Sequence, residues 1–196
     1  MILYLTRKTF ERYKLDPPEN SLFPVKEITA AVKEREQGIG LLEWGGKLFY
    51  FDRRKCIQFS NFASKFTVFL FDAKVEKLPF LGEAIFMYLF DFYQGNKEMT
   101  KLLKRLADEH PFAVIDRLKD KKAIATLNRT QLDFALDGYK FYKFIENNVL
   151  QTKKINKLVN TDWLFTQRVE NQSGPEYFYS GEKFEQLLKE YYAKLP

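Results

Sequence analysis

The order of apolar and polar residues up to residue 75 is typical of β-strands joined by tight turns. MILYLT alternates weakly and predicts a short strand. LLEW and KLFYF flank the pair Gly45-Gly46, which predicts a strand interrupted by a glycine bulge or turn. CIQFSNF follows a charged turn and predicts the second strand of a hairpin. FTVFLF is apolar on both faces, so we expect it to be covered on both sides and central in the sheet.

Helical spacing of apolar residues is found between the first strand and the glycine pair. Residues 25–37, VKEITAAVKEREQ, place Val25, Ile28 and Val32 at helical spacing and predict an exposed amphipathic helix or an ordered loop. A short helix is expected at residues 9–15, and the proline-rich DPPENSLFP, residues 16–24, predicts a loop.

After residue 79 the pattern becomes mainly helical. GEAIFMYLFDFY is apolar almost all round, which predicts a helix buried between layers and packed on the FTVFLF strand. EMTKLLKRLADE forms a second helix that ends at His110-Pro111, and FAVIDRL is a short extended piece. A long helix is expected from Asn128 through residue 150, with Leu132, Leu136, Tyr139 and Tyr142 along one stripe. Its aromatic residues Tyr139, Phe141, Tyr142 and Phe144 could stack on bases, but they run around the helix, so most of them are expected in the core.

The last residues predict a short helix at KINKLVNTDWLF, an aromatic loop at NQSGPEYFYSG, and a C-terminal helix with Ser180 as its N-cap. The predicted fold class is therefore α+β: a small, mainly antiparallel sheet of about four or five strands from the first 75 residues, with helices packed on it. The predicted division is an α+β core domain at residues 1–150 and a C-terminal helical extension at residues 151–196 that packs on the core.

Composition narrows the functional classes. The 196 residues are 45% hydrophobic and include 20 Phe and 11 Tyr, so we expect an aromatic-rich core. One cysteine excludes an internal disulfide, and one histidine argues against a His-based metal cluster, so no metal site is predicted. The first apolar run is too short for a signal peptide, and no stretch reaches the ~20 apolar residues that span a bilayer. A soluble, cytoplasmic protein without membrane contact is expected.

The net charge is +6 and is spread along the chain, which favours mild attraction to polyanions. The tip Asp52-Arg53-Arg54-Lys55 has two interpretations. Adjacent arginines at a strand end bind phosphate bidentately, whereas a solvated turn of the same composition only blunts a sheet edge. In either case we expect both arginines to be accessible and Cys56 to be buried. A thiol beside Lys55 is a candidate nucleophile, but a buried structural thiol is favoured.

Further candidate binding residues follow along the chain. RLKDKK and LNR carry Lys119, Lys121, Lys122 and Arg129, and a third basic group lies at residues 153–157. Such groups form a phosphate-tracking surface if they converge on one face, and solvated turns if they do not. Tyr177 and Tyr179 lie in the aromatic loop, which either folds back on the core or contacts a partner.

The order of these segments resembles an uncharacterised bacterial family, a domain of unknown function. The resemblance is carried by Trp44, the Asp52-Arg53-Arg54-Lys55-Cys56 turn, FTVFLFDAKVEKL and KDKKAIATLNR. It covers about residues 1–150, with a further match at Tyr177–Tyr179. The resemblance implies a shared fold and no established activity, so it transfers no catalytic residues.

An enzymatic alternative rests on three residues. Asp52 and Asp72 end strands, and Lys74 follows, so two carboxylates and a lysine could hold Mg²⁺ and stabilise a phosphoryl transition state, as in restriction-like nucleases. Mg²⁺ is the cofactor of this alternative only. No GxGxxG, GxxxxGK[ST], HExxH or GxSxG motif is present.

The sequence thus predicts a small basic binding protein, rather than an enzyme, that engages nucleic acid or a nucleic-acid-handling complex. By analogy, small chains of this composition also suit phage or mobile-element inhibitors of host defence, of the anti-CRISPR kind. The alternative is a metal-dependent nuclease acting on RNA or DNA. The oligomeric state is left open.

Overall fold

The computed structural model describes residues 1–16, 25–136, 141–168 and 174–194, without the side chains of 134–136 and 168. The α-helices in this part of the chain are α1 (Arg7–Tyr13), α2 (Val25–Glu36), α3 (Leu81–Phe92), α4 (Lys97–Glu109), α5 (Lys121–Leu136), α6 (Thr152–Thr161) and α7 (Ser180–Ala193). The strands are β1 (Ile2–Leu5), β2 (Glu43–Phe51), β3 (Arg54–Asn61), β4 (Thr67–Leu70), β5 (Val114–Arg117), β6 (Ile145–Glu146), β7 (Val149–Leu150), β8 (Leu164–Arg168) and β9 (Pro175–Tyr179). Among the described helices, none is long and apolar enough to cross a membrane.

The main sheet has five strands in the order β4-β3-β2-β1-β5, which confirms the α+β class and the strand number. The sheet is mixed. Strands β2, β3 and β4 are antiparallel, as expected, but β1 pairs in parallel with both β2 and β5. The chain reaches β2 from β1 through α1 and α2, and β5 comes after α4 rather than from the first 75 residues. These crossovers make the pairings of β1 parallel.

The glycine pair does not interrupt the second strand, so the predicted bulge or turn is wrong. Strand β2 runs straight through Gly45 and Gly46. A Cβ on Gly46 would lie 2.5 Å from Leu5 Cδ2 and 2.6 Å from Phe59 Cε1. Glycine is needed here because neighbouring side chains approach the backbone, not because the chain turns.

Helices cover both faces of the sheet. Leu3, Leu5 and Trp44 belong to the main hydrophobic cluster, into which α1, α3, α4 and α7 insert their apolar faces. On the opposite face Tyr4 packs with α5. Ile2 packs with Val32 of α2 on that same face. Because side chains alternate along β1, the two layers of helices are separated by the sheet.

Strand β4 is buried on both faces, as predicted, but it forms an edge of the sheet and is not central. Helix α6 covers that edge. Asn156 accepts a hydrogen bond from Phe69 N at 2.7 Å and donates to Phe69 O at 3.2 Å. Asn160 makes the same pair of bonds with Thr67, both at 2.8 Å. The two asparagines thus bond β4 as a neighbouring strand would.

Helix α3 packs in one cluster with Val68 and Leu70 of β4, which confirms the predicted contact. It is not buried all round, however. Leu89 is fully buried, whereas Met87 is 71% exposed on the opposite side. The helix is covered on one side only, because nothing in the described residues packs over Met87.

The long helix predicted from Asn128 through residue 150 is wrong. The described helix α5 runs to Leu136, and residues 141–150 form a 3₁₀ turn and the hairpin β6–β7, whose turn residues Asn147 and Asn148 have φ of 50° and 61°. Two neighbouring residues with positive φ favour a hairpin turn over a helix. Of the four aromatic residues, Phe141 and Phe144 pack against the cluster that contains Phe69, as predicted, whereas Tyr142 is exposed. Leu132 is also exposed, and Tyr139 and the side chain of Leu136 lie outside the described residues.

The predicted aromatic loop is instead the hairpin β8–β9 where it is described. Ser180 does not cap α7 with its side chain: it is the first residue of the helix, and its hydroxyl donates to Asn160 Oδ1 at 2.7 Å. The proline-rich loop lies outside the described residues from residue 17 to 24. The domain boundary at residue 150 stays a prediction.

Candidate nucleic-acid interface

The tip of the hairpin β2–β3 presents two arginines to solvent. The strands are joined by Asp52 and Arg53, whose φ angles of 48° and 60° give the left-handed two-residue turn that matches the strand twist. Arg53 and Arg54 are exposed, and Cys56 is 1% exposed, which confirms both expectations. The arginines are held at the end of a rigid hairpin.

Helix α1 lies beside this hairpin because β2 is longer than its neighbour. Strand β1 ends opposite Gly46, which leaves the backbone of β2 from residue 47 onward without a partner strand on that side. Thr9 Oγ1 accepts a hydrogen bond from Leu48 N at 2.9 Å. Phe10 and Tyr13 are buried in the main cluster, so the polar residues of α1 face outward.

Cationic side chains of α1 and the hairpin interleave with aromatic rings. The Arg12 guanidinium lies 5.9 Å from the centre of the Tyr50 ring. The Lys55 ammonium lies 4.9 Å from the Tyr13 ring and donates to Arg12 O at 3.4 Å. These contacts tie the hairpin to the helix and hold cations of both elements on one side of the molecule.

Two more cations border this region. Burial, with the nearby charge of Lys8 in addition, lowers the pKa of Lys47 on β2. At the end of β5, the Arg117 guanidinium lies 5.7 Å from the Phe10 ring of α1. We call the resulting surface the basic surface. It consists of Lys8, Arg12, Lys14, Lys47, Arg53, Arg54, Lys55 and Arg117.

The positive charge of the basic surface is not neutralised by ion pairs within the described part of the chain. None of its cations forms an ion pair with a carboxylate in the described part of the chain. The acidic residue on the outer side of α1, Glu11, pairs with Arg7 at 2.7 Å. Asp52 is exposed at the hairpin tip. An excess of unpaired cations on one surface creates a local positive potential that attracts polyanions.

Sequence reasoning identified the hairpin tip but missed the helix that completes the surface. A signal was present in RKTFERYK. Lys8 and Arg12 are spaced i, i+4, whereas Thr9, Phe10 and Tyr13 point into the core. The contact between α1 and the β2–β3 hairpin could not be predicted from this pattern, because the contact depends on the length of β2.

The other predicted binding residues belong to other elements. Lys119 follows Arg117 by two residues, and Lys121 and Lys122 are exposed at the start of α5. Arg129 pairs with Asp133 at 2.7 Å. In the third basic group, Lys153 pairs with Asp91 and Lys154 pairs with Glu146. No described contact brings these groups to the basic surface.

The two tyrosines of the predicted loop sit on strand β9. Tyr177 is exposed, and Tyr179 is half-buried. Phe178 between them is buried against Phe165 of β8, with ring centres 6.4 Å apart. Strand alternation thus places the two tyrosines on the outer side of this hairpin.

The two carboxylates of the nuclease alternative lie near the β2–β3 hairpin. Asp52 is at the hairpin tip, and Asp72 follows β4 beside Lys55, since Ala73 N donates to Lys55 O at 2.7 Å. Lys77 lies 4.0 Å from the Asp72 carboxylate, and Lys74 is exposed. Among the residues described, no group of three or more His, Cys, Asp or Glu could hold a metal ion. The nuclease stays a prediction without a structural argument in its favour.

Cys56 is enclosed between strands. Its thiol lies 3.6 Å from Arg54 O, and burial raises its pKa. A thiol that is both buried and protonated is a poor nucleophile, so the structure favours the structural interpretation.

The molecule is thus a mixed α+β domain, and the cations of its basic surface have no carboxylate partner among the described residues. The chain belongs to the family described as Domain of unknown function (DUF6933), whose profile matches residues 2–180. This finding confirms the resemblance to an uncharacterised family and extends it beyond residue 150. Searches of curated proteins and of solved structures found no match.

Proposed function

We propose that this protein binds nucleic acid through the basic surface and performs no chemistry on it. One observation carries the proposal: cations of α1 and of the β2–β3 hairpin lie on one surface, and none is paired with a described carboxylate. A cation that pairs with no internal carboxylate is available to a phosphate, and a row of such cations tracks a phosphate backbone.

The geometry of the hairpin supports direct phosphate contact. Arg53 and Arg54 project from a two-residue turn whose backbone is fixed by the strand ladder behind it. Guanidinium groups bind phosphate oxygens bidentately, and a rigid base reduces the entropy lost on binding. Tyr50, which is 48% exposed beside Arg12, adds a ring on which an unpaired base can stack.

The test is the salt dependence of binding. A fluorescein-labelled single-stranded RNA and a DNA of the same sequence are titrated with the protein at several NaCl concentrations, and anisotropy is recorded. We expect log K to fall linearly with log[NaCl], with a slope set by the number of phosphates contacted. Failure to bind either strand at low salt would overturn the proposal and favour a protein partner, such as a host defence enzyme.

The same titrations separate binding from the nuclease alternative. Each strand is incubated with the protein in Mg²⁺ or in EDTA and analysed on a denaturing gel. We expect the strands to stay full-length both in Mg²⁺ and in EDTA. The protein should bind them with equal affinity under the two conditions. Cleavage in Mg²⁺ that disappears in an Asp72→Ala variant would instead establish the nuclease.

A further inference from the structure

A cavity opens along the side of α3 that no described residue covers. Its volume is about 360 Å³, and it lies between α3 and the segment of residues 110–113 that follows α4. Glu83, Phe86, Met87 and Phe90 line it from α3. Because these residues are spaced i, i+3, i+4 and i+7, they form one stripe along the helix. We call this space the α3 cavity.

The α3 cavity has room for a small molecule and is open to solvent. A protein cavity of about 150 Å³ is enough to hold benzene, and the α3 cavity is larger. Met87 is 71% exposed on one wall, and Phe112 is 54% exposed on the other. The two walls meet at Gly82 and Ala113, where a Cβ on the glycine would lie 2.4 Å from Ala113 Cβ. A ligand can therefore enter from solvent and rest between the two walls.

Three phenylalanine rings line the α3 cavity without packing against one another. Phe86 and Phe90 are half-buried beside the main cluster, and Phe112 is exposed. None of the three forms a ring pair within the described part of the chain. Groups of aromatic side chains bind organic cations, quaternary ammonium ions above all, because the face of each ring is electron-rich.

The charges around the α3 cavity also favour a cation. Glu83 is exposed and pairs with no described cation. None of the described residues that line the cavity is Lys or Arg, although the chain carries a net charge of +6. His110 and the Met1 amine are both bonded to Glu36, at 2.9 Å and 2.5 Å, and His110 Nε2 lies 3.4 Å from Tyr191 Oη. The one ionisable group of the lining without a described partner is thus a carboxylate.

We propose that the α3 cavity binds a small apolar ammonium ion, whose hydrocarbon chain packs against the Phe and Met side chains and whose cationic head lies beside Glu83. A mainly apolar, aromatic lining with one polar group is typical of small-molecule sites of this size. An anionic ligand is disfavoured, since its charge would lie beside the Glu83 carboxylate. The inference goes beyond nucleic-acid binding and does not depend on it, because the α3 cavity and the basic surface share no residue.

The three methionines of the chain allow a site-specific measurement. Met1 and Met87 line the α3 cavity, whereas Met99 is buried in the main cluster and does not. The full chain, labelled with ¹³C at the methionine methyl groups, is titrated with hexyltrimethylammonium, hexanol and hexanoate, and ¹H–¹³C correlation spectra are recorded. We expect the ammonium ion to shift the Met1 and Met87 signals in a saturable manner and to leave Met99 unchanged. Hexanol should bind about fivefold more weakly, and hexanoate more weakly still.

Glu83→Gln isolates the contribution of the charge. It should weaken the binding of hexyltrimethylammonium about fivefold and leave the binding of hexanol unchanged. Glu34→Gln is the matched control, because Glu34 is also exposed, forms no ion pair with a described cation and does not line the α3 cavity. The control should bind both ligands as the wild type does.

Two further variants test the walls. Phe112→Ala removes one ring and should weaken ammonium binding about fivefold, whereas Phe80→Ala removes a ring of similar exposure, 56%, that does not line the cavity, and should have no effect. Ala107→Trp fills the cavity from α4, where Ala107 is half-exposed, and should abolish the binding of both hexyltrimethylammonium and hexanol. The Met99 signal shows whether each variant is folded, and if Ala107→Trp is not, Glu83→Gln and Phe112→Ala still decide.

The remaining outcomes contradict the proposal. If Met1 and Met87 do not shift with millimolar hexyltrimethylammonium, the site is refuted. If hexanol or hexanoate binds as tightly as the ammonium ion, or if Glu83→Gln keeps the full affinity, the cavity selects apolar molecules and not cations. Arg53→Ala with Arg54→Ala should leave ammonium binding unchanged, and Glu83→Gln should leave oligonucleotide binding unchanged. Failure of this inference and failure of the proposed function are therefore distinguishable.

Discussion

Asn160 bonds both backbone polar groups of Thr67: its Oδ1 accepts from Thr67 N and its Nδ2 donates to Thr67 O, each at 2.8 Å. A side chain of α6 thereby takes the place of a missing sheet neighbour. The edge of β4 is closed without a further strand, and the residues after 150 are joined to the sheet by hydrogen bonds as well as by apolar contact.

Replacement of Asn160 by alanine should destabilise the fold strongly. It leaves two buried backbone groups of β4 unpaired, and each costs about 1–3 kcal/mol, so we expect a loss of about 2–6 kcal/mol in the free energy of unfolding. Urea denaturation followed by circular dichroism measures it. Asn128→Ala is the control, because Asn128 is exposed on α5, and its effect should stay within ~0.5 kcal/mol. Equal effects of the two variants would show that the edge bonds do not contribute to stability.

Gly46→Ala should also destabilise, by about 1–3 kcal/mol, since the added methyl group meets Leu5 and Phe59 at less than van der Waals distance. The matched variant is Gly174→Ala, where the structure has nothing within 4 Å of the new Cβ. Thermal unfolding of both variants is the measurement. A neutral Gly46→Ala would mean that the strand bulges at this position, as the sequence alone suggested.

The buried carboxylate of Glu36 should dominate acid stability. Burial by itself would raise its pKa, but hydrogen bonds from His110, the Met1 amine and Arg35 outweigh burial and lower the pKa to about 2. Because the folded pKa lies below that of the unfolded chain, the stabilisation is complete above about pH 4.5 and is lost as the pH falls toward 2.

Glu36→Gln tests this account. The variant should be less stable near neutral pH by about 3–5 kcal/mol, the cost of breaking a buried charge cluster, and its stability should depend less on pH between 4.5 and 2. Chemical denaturation at a series of pH values gives both quantities. A wild-type slope retained in the variant would assign the acid transition to other carboxylates.

Cys56 should resist modification in the folded protein. Its side chain is enclosed and its pKa is raised by burial, so reaction with DTNB at pH 8 should be slow in buffer and rapid in denaturant. Absorbance of the released thionitrobenzoate follows the reaction. Rapid, complete labelling of the folded protein would revive the nucleophile hypothesis.

The sequence predicted those elements whose signal is local. MILYLT, the Asp52–Arg53 turn and most helices were recognisable from alternation, helical period and turn residues within a short window. The parallel position of β1 was not recognisable, because it joins residues 2–5 to residues 43–46 and 114–117. No local pattern carries such distant pairing.

Misread signals also have physical causes. Gly45-Gly46 has the composition of a turn, but the close approach of Leu5 and Phe59 decides its role. FTVFLF appeared central because both faces are apolar, yet its edge is covered by Asn156 and Asn160 of α6. In each case a tertiary contact overrides the local preference.

The candidate site, like the fold, could be predicted only where its signal is local. The exposed arginines could be predicted from the turn, whereas the contribution of Lys8 and Arg12 required the three-dimensional position of α1.

The central claim is that the basic surface binds nucleic acid, and the most direct measurement compares two double variants of equal charge change. Arg53→Ala with Arg54→Ala removes the hairpin cations, whereas Lys153→Ala with Lys154→Ala removes two cations that are paired with Asp91 and Glu146. Affinity for the labelled RNA and DNA strands is measured by anisotropy at one salt concentration, and stability by urea denaturation. Both proteins should stay folded, with the hairpin variant within ~0.5 kcal/mol of wild-type stability.

The hairpin variant should lose about 1–3 kcal/mol of binding free energy per phosphate contact, and its salt slope should fall by about 1 per contact, while the α6 variant should bind nearly as tightly as the wild type. Equal losses in the two variants would mean that binding follows net charge and not this surface. Unchanged affinity in the hairpin variant would contradict the account.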